Sequence, residues 1–398
     1  MTRDFARLLA AATISNLGSM LTALALPLLA ISLLQATPGE IAALNAAAIL
    51  PGLIFGLFAA QAIDRLRRRP VLIVADLIRA LLLLALPVAA FAGVLSMTQI
   101  VGFALCRGMF DFAFDVAEQA YLPSLVPAEE LVRANGRLQA GDSSAEAVGF
   151  ALGGWLVQWL SAPVALLVDS LSYLVSAVLL LRIRSAEPEP EKPRIGARRT
   201  AELFAGVVEI WRTPALRALA LSSMWTVAGA QVVGTVYLLF VYRELGFAPG
   251  VLGLLFAVGA VSSLGSALLA HRVPKALEGR PAIVTGLVLY AAGPLVLSLA
   301  PGANLWGVTA IASQQLVADG GYVLYEVHQR SLRQRITPSR LLGRVGGSLR
   351  LLNGAAMLAG LALGAWLGDS FGLRPTLVAG AGLESLGALS ALAVTQKR

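Results

Sequence analysis

The sequence predicts an all-α membrane protein with twelve transmembrane helices in two pseudo-symmetric six-helix bundles. Three observations support this fold class. Hydrophobic residues make up 57% of the 398 residues and charged residues only 14%, which is far from the balance of soluble domains. The apolar residues fall in stretches long enough to cross a bilayer, which takes about 20 residues. The second half of the chain also repeats the first.

The long apolar stretches are predicted to be helices, because the bilayer interior has no water to satisfy backbone polar groups. Numbered 1 to 12 in chain order, the predicted spans are 8–34, 39–63, 70–93, 97–124, 135–160, 162–183, 214–242, 249–271, 281–300, 304–331, 341–369 and 372–394. Arg3 and Arg7 precede span 1 in the manner of a signal peptide. The length of span 1 and the immediate start of span 2 favour an uncleaved helix.

The two halves of the chain repeat at an offset of 211 residues. Residues 149–156 read GFALGGWL and residues 360–367 read GLALGAWL, with six of the eight positions identical. The same offset relates Pro127 to Pro338. A membrane protein with two equivalent helical halves has a natural substrate cleft between them and a natural rocking motion. The repeat therefore favours a carrier.

Positive charges set the expected orientation in the membrane. The loops after the even-numbered spans and both termini hold nearly all Lys and Arg residues, whereas the opposite loops hold only Arg243 and Arg374. Cytoplasmic loops carry this excess. We therefore expect a multi-pass protein of the cell inner (cytoplasmic) membrane with both termini cytoplasmic. The same bias explains the formal net charge of +8 without nucleic-acid binding.

The predicted domains are an N-terminal six-helix bundle (1–183), a cytoplasmic linker (184–213) and a C-terminal six-helix bundle (214–398). The linker begins with EPEPEKP at 187–193, a composition that favours an extended and solvated chain. Apolar side chains at helical spacing follow in 200–211, which predicts an amphipathic helix on the cytoplasmic side. We expect this helix to tether the two bundles.

Charged residues inside predicted spans are costly and therefore point to function. Span 4 contains four that share one helical face, and span 5 adds two that are one turn apart. The six candidates for proton coupling are Arg107, Asp111, Asp115, Glu118, Asp142 and Glu146. Arg107 and Asp111 have the spacing of a helical ion pair. Span 12 contributes a lone Glu384.

Two interpretations of these charges are open. In the first, they form structural ion pairs that close the helix bundle. In the second, they relay protons: loss of water favours a neutral carboxyl and nearby Arg107 favours a charged one, so small movements switch its protonation. Carboxyls outnumber the clear intramembrane cations, Arg79 and Arg107. This excess favours a neutral carboxyl in at least one state.

The loop between spans 2 and 3 resembles a signature of the major facilitator superfamily. Residues 60–69 read AQAIDRLRRR, where the family has G-x-x-x-D-R-x-G-R-R/K, so that Ala60 and Arg67 replace the two glycines. In the family, the Asp and Arg belong to a cytoplasmic charge network that latches the halves in the outward-open state. The residues that the resemblance assigns to this latch are Asp64, Arg65, Arg68, Asp76 and Arg133.

Further motifs of the superfamily are partly present. Arg107 stands where the span 4 motif has its arginine, which the family associates with proton coupling. Residues 145–154, AEAVGFALGG, resemble the span 5 antiporter motif, although small residues there also serve close helix packing. Residues 121–136 and 330–344 resemble the branch that contains enterobactin exporters and macrolide efflux pumps. The resemblance implies export of amphipathic compounds such as drugs, siderophores or secondary metabolites.

Polar and aromatic residues in spans of the second half are candidates for lining a substrate cavity, with helix packing as the alternative. These candidates are Trp225, Gln231, Tyr237, Gln314, Gln315, Asp319, Tyr322 and Glu326. Asp319 and Glu326 are seven residues apart and share a helical face. The offset of 211 residues also maps Asp115 onto Glu326.

We therefore expect a monomeric secondary transporter in the lipid bilayer that exchanges protons for an amphipathic small-molecule substrate by alternating access. A lysophospholipid flippase and an uptake carrier are alternatives with the same fold, and a non-transporting membrane sensor is an alternative of another class. The sequence has no phosphate-binding loop, metal-ligand cluster or nucleophile–base pair, so we expect no enzyme, cofactor or metal site. The single cysteine, Cys106, excludes an internal disulfide.

The predicted topology is testable by cysteine labelling in a Cys106→Ser background. An Ala303→Cys variant places a thiol between spans 9 and 10, and a Lys192→Cys variant places one in the linker. We expect a membrane-impermeant maleimide to label the first in intact cells and the second only after permeabilisation. The reverse pattern contradicts cytoplasmic termini.

Overall fold

Helices dominate this chain because its apolar stretches are long and their backbone groups must be paired internally. The computed structural model describes residues 2–58, 66–185, 187, 199–269 and 278–394. The helices of the first half are α1 (Arg3–Leu33), α2 (Pro38–Phe58), α3 (Arg68–Phe91), α4 (Met97–Leu125), α5 (Leu131–Leu160) and α6 (Ala162–Leu181). They follow predicted spans 1 to 6.

The second half repeats this order after one additional helix in the linker. The remaining helices are α7 (Arg199–Arg212), α8 (Pro214–Leu239), α9 (Pro249–Leu269), α10 (Arg280–Ser298), α11 (Leu305–Ser313), α12 (Asp319–Ile336), α13 (Leu342–Phe371) and α14 (Leu373–Leu392). A π-helical turn, Gln314–Ala318, joins α11 to α12, and these three elements together follow predicted span 10. The all-α fold class is confirmed.

Nine helices in the described part of the chain are long and apolar enough to cross a membrane. Charged and polar residues lower the hydropathy of α4 and α5, and the π-helical turn divides span 10. In α9, Ser262 donates a hydrogen bond to the backbone carbonyl of Leu316 within this turn at 2.8 Å. The twelve predicted spans fit the structure. Spans 4, 5 and 10, which are not among the nine apolar helices, contain charged residues or irregular backbone.

The described residues divide into two compact units. Unit 1 consists mainly of α1–α6 and includes Ala248–Ala257, while unit 2 consists mainly of α7–α14 and includes Thr37–Ala42. In unit 1, α1 packs against α5 and α6, and α3 packs against α4 and α6. In unit 2, α8 packs against α13 and α14, and α10 packs against α12 and α14. The same four helix pairings therefore recur in both units.

Repeated glycines permit the close approach of the first and fifth helices in each unit. A Cβ atom on Gly149 of α5 would lie 2.8 Å from the carbonyl oxygen of Leu17 in α1. A Cβ atom on Gly360 of α13 would collide with the carbonyl of Ala228 in α8. Leu17 and Ala228 are also 211 residues apart. The sequence repeat is thus a repeat of helix contacts.

Two carboxylates tie the start of the linker to unit 1. Glu187 accepts hydrogen bonds from the backbone N–H groups of Arg68 and Arg69, at 2.5 and 3.3 Å, at the first turn of α3. A negative charge is favourable there because the N-terminal end of a helix dipole is positive. Asp4 accepts a hydrogen bond of 2.8 Å from the backbone N–H of Ser185.

The linker helix α7 packs within unit 2. Its Ile210 is fully buried against Val345 and Leu349 of α13. Val208 and Trp211 on another side of the helix are 45% and 42% exposed. The exposed apolar side chains opposite the packed face suit contact with a membrane interface.

The turn between the fifth and sixth helices of unit 1 differs from its counterpart in unit 2 at one equivalent position. Ser161, between α5 and α6, has φ 95° and ψ 159°, and Gly372, between α13 and α14, has φ 88° and ψ 177°. These residues are 211 positions apart. This backbone region is essentially restricted to glycine. The first repeat therefore contains a strained turn that the second repeat avoids.

We expect Ser161→Gly to stabilise the protein by about 1–3 kcal/mol, because glycine adopts this conformation without steric cost. The matched Gly372→Ser variant is expected to destabilise it by a similar amount. Thermal unfolding of both purified variants in detergent measures the effect. Equal melting midpoints for Ser161→Gly and the wild type contradict the assignment of strain.

Candidate functional site

Arg79 lies at the centre of a buried group of charges in unit 1. This α3 residue is 4% exposed. It forms an ion pair with Asp76, and its Nη1 donates a hydrogen bond of 3.0 Å to Oδ1 of Asp111 in α4. Its guanidinium carbon lies 4.3 Å from the ring centroid of Phe114 and 4.6 Å from that of Tyr173. Carboxylates and aromatic faces together compensate this cation for its lost hydration.

A second arginine and a third acid adjoin Arg79. Nε of Arg107 lies 3.2 Å from Oδ2 of Asp111, one helical turn away. Asp169 of α6 is fully buried. It accepts hydrogen bonds from the hydroxyls of Thr22 in α1 and Ser172, at 2.5 and 2.9 Å. Arg107 and Arg79 both act electrostatically on the Asp169 carboxylate.

We call these five residues the charge cluster; its members are Asp76, Arg79, Arg107, Asp111 and Asp169. The cluster contains three carboxyl groups and two guanidinium groups. If all five groups were ionised, it would carry one uncompensated negative charge. An uncompensated charge is costly where water is scarce. The arrangement is therefore suited to taking up one positive charge.

Four further acids predicted for proton coupling form a less buried group beside the charge cluster. We call this group the carboxyl row; its members are Asp115, Glu118, Asp142 and Glu146. Asp115 and Glu146 are exposed, and Glu118 and Asp142 are partly exposed. Asp142 of α5 lies near enough to repel both Asp115 and Glu118 of α4 electrostatically. Asp111 also acts on Asp115, so the row adjoins the charge cluster.

The residues assigned to the family's cytoplasmic latch lie in different surroundings. Asp64 and Arg65 lie outside the described residues. Nη1 of Arg68 is 3.6 Å from Oε1 of Glu187, whereas Arg133 is exposed on α5. Asp76 lies two turns inside α3, where it pairs with Arg79 as a member of the charge cluster.

The cavity candidates of the second half lie on α8, on the π-helical turn and on α12, all in unit 2. Tyr237 and Gln315 are buried, and Trp225 is 40% exposed. The carboxylate of Asp319 and the amide of Gln315 both lie against Gly259 in α9, where a Cβ atom would be 2.9 Å from each.

The other four candidates of this set are partly exposed, and two of them have defined partners. The ring of Tyr322 packs on Tyr290 at 5.0 Å between centroids. Glu326 pairs with Arg330 at 2.7 Å. Gln231 and Gln314 are partly exposed. These residues provide aromatic and polar surface within unit 2.

Sequence reasoning missed Asp169, although its signal was present. It is an acid near the middle of predicted span 6, and so belongs to the class of costly intramembrane charges. No charged residue stands one turn away from it, so its span offers no ion pair of the kind seen in α4. Its partners come from α1 and α4, which only the packing of unit 1 brings together.

Both units bury an acid against an equivalent glycine of their first helix. Gly18 of α1 lies against Asp169, and Gly229 of α8 lies against Glu384 of α14. The two glycines are 211 residues apart. Glu384 is 1% exposed, and its Oε2 has no hydrogen-bond partner among the described residues. The contact between glycine and acid is therefore part of the repeat. Among the described residues, an acid accompanied by ion-paired arginines is found only in unit 1.

A helical bundle built twice, with charges enclosed in its first copy, defines a membrane carrier of the repeat type. The sequence matches the family model of the Major Facilitator Superfamily over residues 8–361. The chain therefore belongs to this family of transporters and is not an enzyme. The resemblance inferred from the signature loop is confirmed.

Relatives with known names cover most of the chain. It is 25% identical to the uncharacterized MFS-type transporter YfiS of Bacillus subtilis, across 92% of this chain and 87% of the relative. It is 28% identical to the multidrug efflux pump Tap of Mycolicibacterium fortuitum, across 84% of this chain and 81% of the relative.

Solved structures share the fold at low sequence identity. The nucleoside transporter NupG superposes with a TM-score of 0.78 at 12% identity, covering 100% of both chains. A bacterial homologue of the iron transporter ferroportin in an inward-facing state superposes with a TM-score of 0.75 at 16% identity, covering 99% of both chains. These likenesses establish the fold alone.

We expect Arg79→Gln to destabilise the protein by about 3–5 kcal/mol, because it leaves the buried Asp76 carboxylate without its cation. The double variant Arg79→Gln/Asp76→Asn removes both charges of the pair and is expected to recover most of the loss. Thermal unfolding in detergent measures both effects. Equal destabilisation by the single and double variants contradicts the assigned pairing.

Proposed function

We propose that this transporter exports amphipathic small molecules such as drugs, siderophores or secondary metabolites in exchange for protons. In this proposal it lies in the cytoplasmic membrane with both termini in the cytoplasm. Efflux is supported by the relative named as a multidrug efflux pump, which aligns with 84% of the chain. The sequence pattern of positive loops supports the orientation.

The excess carboxyl in the charge cluster is the observation that carries proton coupling. Three acids face two arginines, so one proton brings the cluster to neutrality. A proton-coupled carrier needs a group whose charge state differs between its two access states. An enclosed acid whose charge is nearly compensated by neighbouring arginines meets this requirement. Small changes in its hydration or in its contact with arginine shift its protonation.

The carboxyl row supports a route for the proton. Asp115 and Glu146 are exposed, whereas Asp111 is held by Arg79 and Arg107. Asp142 acts electrostatically on both of these exposed acids, and Asn16 of α1 donates a hydrogen bond of 3.2 Å to it. Protons are exchanged along such a series when movement of the helices brings successive acids into contact with water. In this mechanism Arg107 adjusts the charge state of Asp111.

Alternating access connects proton and cargo in this proposal. Proton uptake neutralises the charge cluster in one state, and proton release restores its negative charge in the other. Because a neutral and a charged cluster differ in their cost of burial, protonation biases the equilibrium between the states. Inward proton flow then drives outward movement of cargo.

We expect Asp111→Asn and Glu146→Gln each to abolish proton-coupled transport while the protein remains folded. The assay uses proteoliposomes that enclose a pH-sensitive dye, with an imposed pH gradient and added panels of amphipathic drugs and siderophores. Cargo-triggered proton movement is expected for the wild type. Loss of this signal in both variants supports the relay, because each variant removes one titratable group.

Glu129→Gln is the matched control, since Glu129 is an exposed acid of the same half outside the spans. It is expected to keep wild-type proton movement. Cargo flux without proton movement in the wild type overturns proton coupling and favours a facilitator or a lysophospholipid flippase. Unchanged dependence on the pH gradient in both Asp111→Asn and Glu146→Gln overturns the relay.

A further inference from the structure

A cavity of about 280 Å³ lies inside unit 1 beside the charge cluster. The polar residues that line it are Thr22, Asn45, Arg107 and Asp111. The remaining lining is apolar and comes from residues such as Phe103 of α4. An apolar chamber with a few convergent polar groups is typical of a small-molecule site.

Two groups of the cavity wall also act on buried Asp169. Thr22 lines the cavity, and its hydroxyl donates the 2.5 Å hydrogen bond to Oδ2 of Asp169. Arg107 lines the cavity and acts electrostatically on this carboxylate. A molecule that occupies the cavity therefore lies against two of the residues that determine the surroundings of Asp169. No contact with Asp169 itself is required.

The charged and titratable groups that face Asp169 come from three elements. Arg79 of α3 and Arg107 of α4 are the cations, and Tyr173 is the titratable neighbour on α6 itself. From α1 the facing group is the Thr22 hydroxyl, which does not titrate. Asp76 and Asp111 are engaged by the arginines. Among the described residues, the hydrogen-bond donors to Asp169 are hydroxyl groups, and no Lys or Arg there forms a direct ion pair with it.

We propose that Asp169 is the proton-binding acid of the charge cluster and that the adjacent cavity is a subsite for lipophilic cations. The missing positive charge is supplied either by a proton on Asp169 or by the cationic group of a cargo molecule in the cavity. Proton and cargo therefore bind in competition, without sharing an atom. This assignment rests on the proposed exchange of protons for cargo and names the acid and the cargo class.

The electrostatics of the cavity favour a cation over an anion. Asp111 is the cavity acid, and its side chain is 37% exposed. An anion in the cavity would add to the uncompensated negative charge of the cluster, whereas a cation would cancel it. The apolar part of the lining selects a hydrophobic body around that positive charge. A small inorganic cation would leave this apolar surface unfilled.

Equilibrium binding of ethidium, a fluorescent lipophilic cation, to the purified full-length protein at a series of pH values tests the inference. For competition with one proton, affinity is expected to fall about tenfold for each unit of decreasing pH over the titration range of the acid. Asp169→Asn mimics the protonated acid. We expect it to bind weakly at all pH values, at the level of the wild type at low pH.

Conservative variants separate this role from a structural one. Asp169→Glu keeps a titratable acid and is expected to keep the pH dependence. Thr22→Ser keeps the hydroxyl and is expected to behave like the wild type, whereas Thr22→Val is expected to displace the pH midpoint. Thr22→Val also tests the inference if Asp169→Asn fails to fold.

Two further variants test the place of binding. Ala48 lines the cavity, so Ala48→Phe is expected to fill it and to abolish ethidium binding with an unchanged melting midpoint. Glu384→Gln neutralises the buried acid at the equivalent glycine contact of unit 2 and is expected to leave the pH dependence unchanged.

Several results would overturn the inference. These are full pH dependence in Asp169→Asn, a loss of pH dependence in Glu384→Gln, unaltered ethidium binding in Ala48→Phe, and no saturable ethidium binding to the wild type. If Asp169→Asn keeps its pH dependence while wild-type vesicles still show cargo-driven proton movement, the inference fails and the proposed exchange stands. Cargo flux without proton movement in wild-type vesicles is the separate failure of the proposed exchange.

Discussion

Burial of charge without water is the constraint on which the interior of unit 1 depends. Arg79 loses its hydration inside the bundle, and two carboxylates and two aromatic rings replace it. These partners come from α3, α4 and α6, so the need to compensate one cation helps to position three helices. Asp111 also forms an ion pair with Arg107, and Arg107 acts electrostatically on Asp169. The result is a connected set of charges with one carboxyl in excess.

The two units share a framework and differ in chemistry. Equivalent glycines bring the first helix of each unit close to its fifth and sixth helices, and the four helix pairings recur. Unit 1 uses this framework to enclose paired arginines and acids. Unit 2 has a π-helical turn, buried Gln315 and the aromatic pair Tyr290–Tyr322 in its helices. Irregular backbone of this kind within a span is often found at functional sites. The repeat thus supplies the packing, and the residues that differ between the two halves make them chemically unequal.

Much of the fold could be predicted from the sequence, because the bilayer leaves helices as the only arrangement for long apolar stretches. The repeat at 211 residues predicted equivalent helix contacts, such as those of Gly149 and Gly360. The pairing of Arg107 with Asp111 followed from their spacing on one helix. The partner of Asp111 on α3 could not be predicted in this way, because Arg79 is 32 residues away in the sequence. Asp169 was missed for the same reason, since its partner Thr22 lies 147 residues away.

The sequence by itself determined the membrane class, the helical spans, the twofold repeat and the presence of costly charges in span 4. These properties depend on composition and on short-range spacing, which are local to the chain. Only the tertiary structure decided which charges meet, which of them are enclosed, and that an acid of span 6 completes the cluster. Long-range contacts between helices depend on side-chain packing across several segments at once. The sequence of a single span does not specify which helices pack against it. The cluster of three acids and two arginines therefore forms only when α1, α3, α4 and α6 assemble.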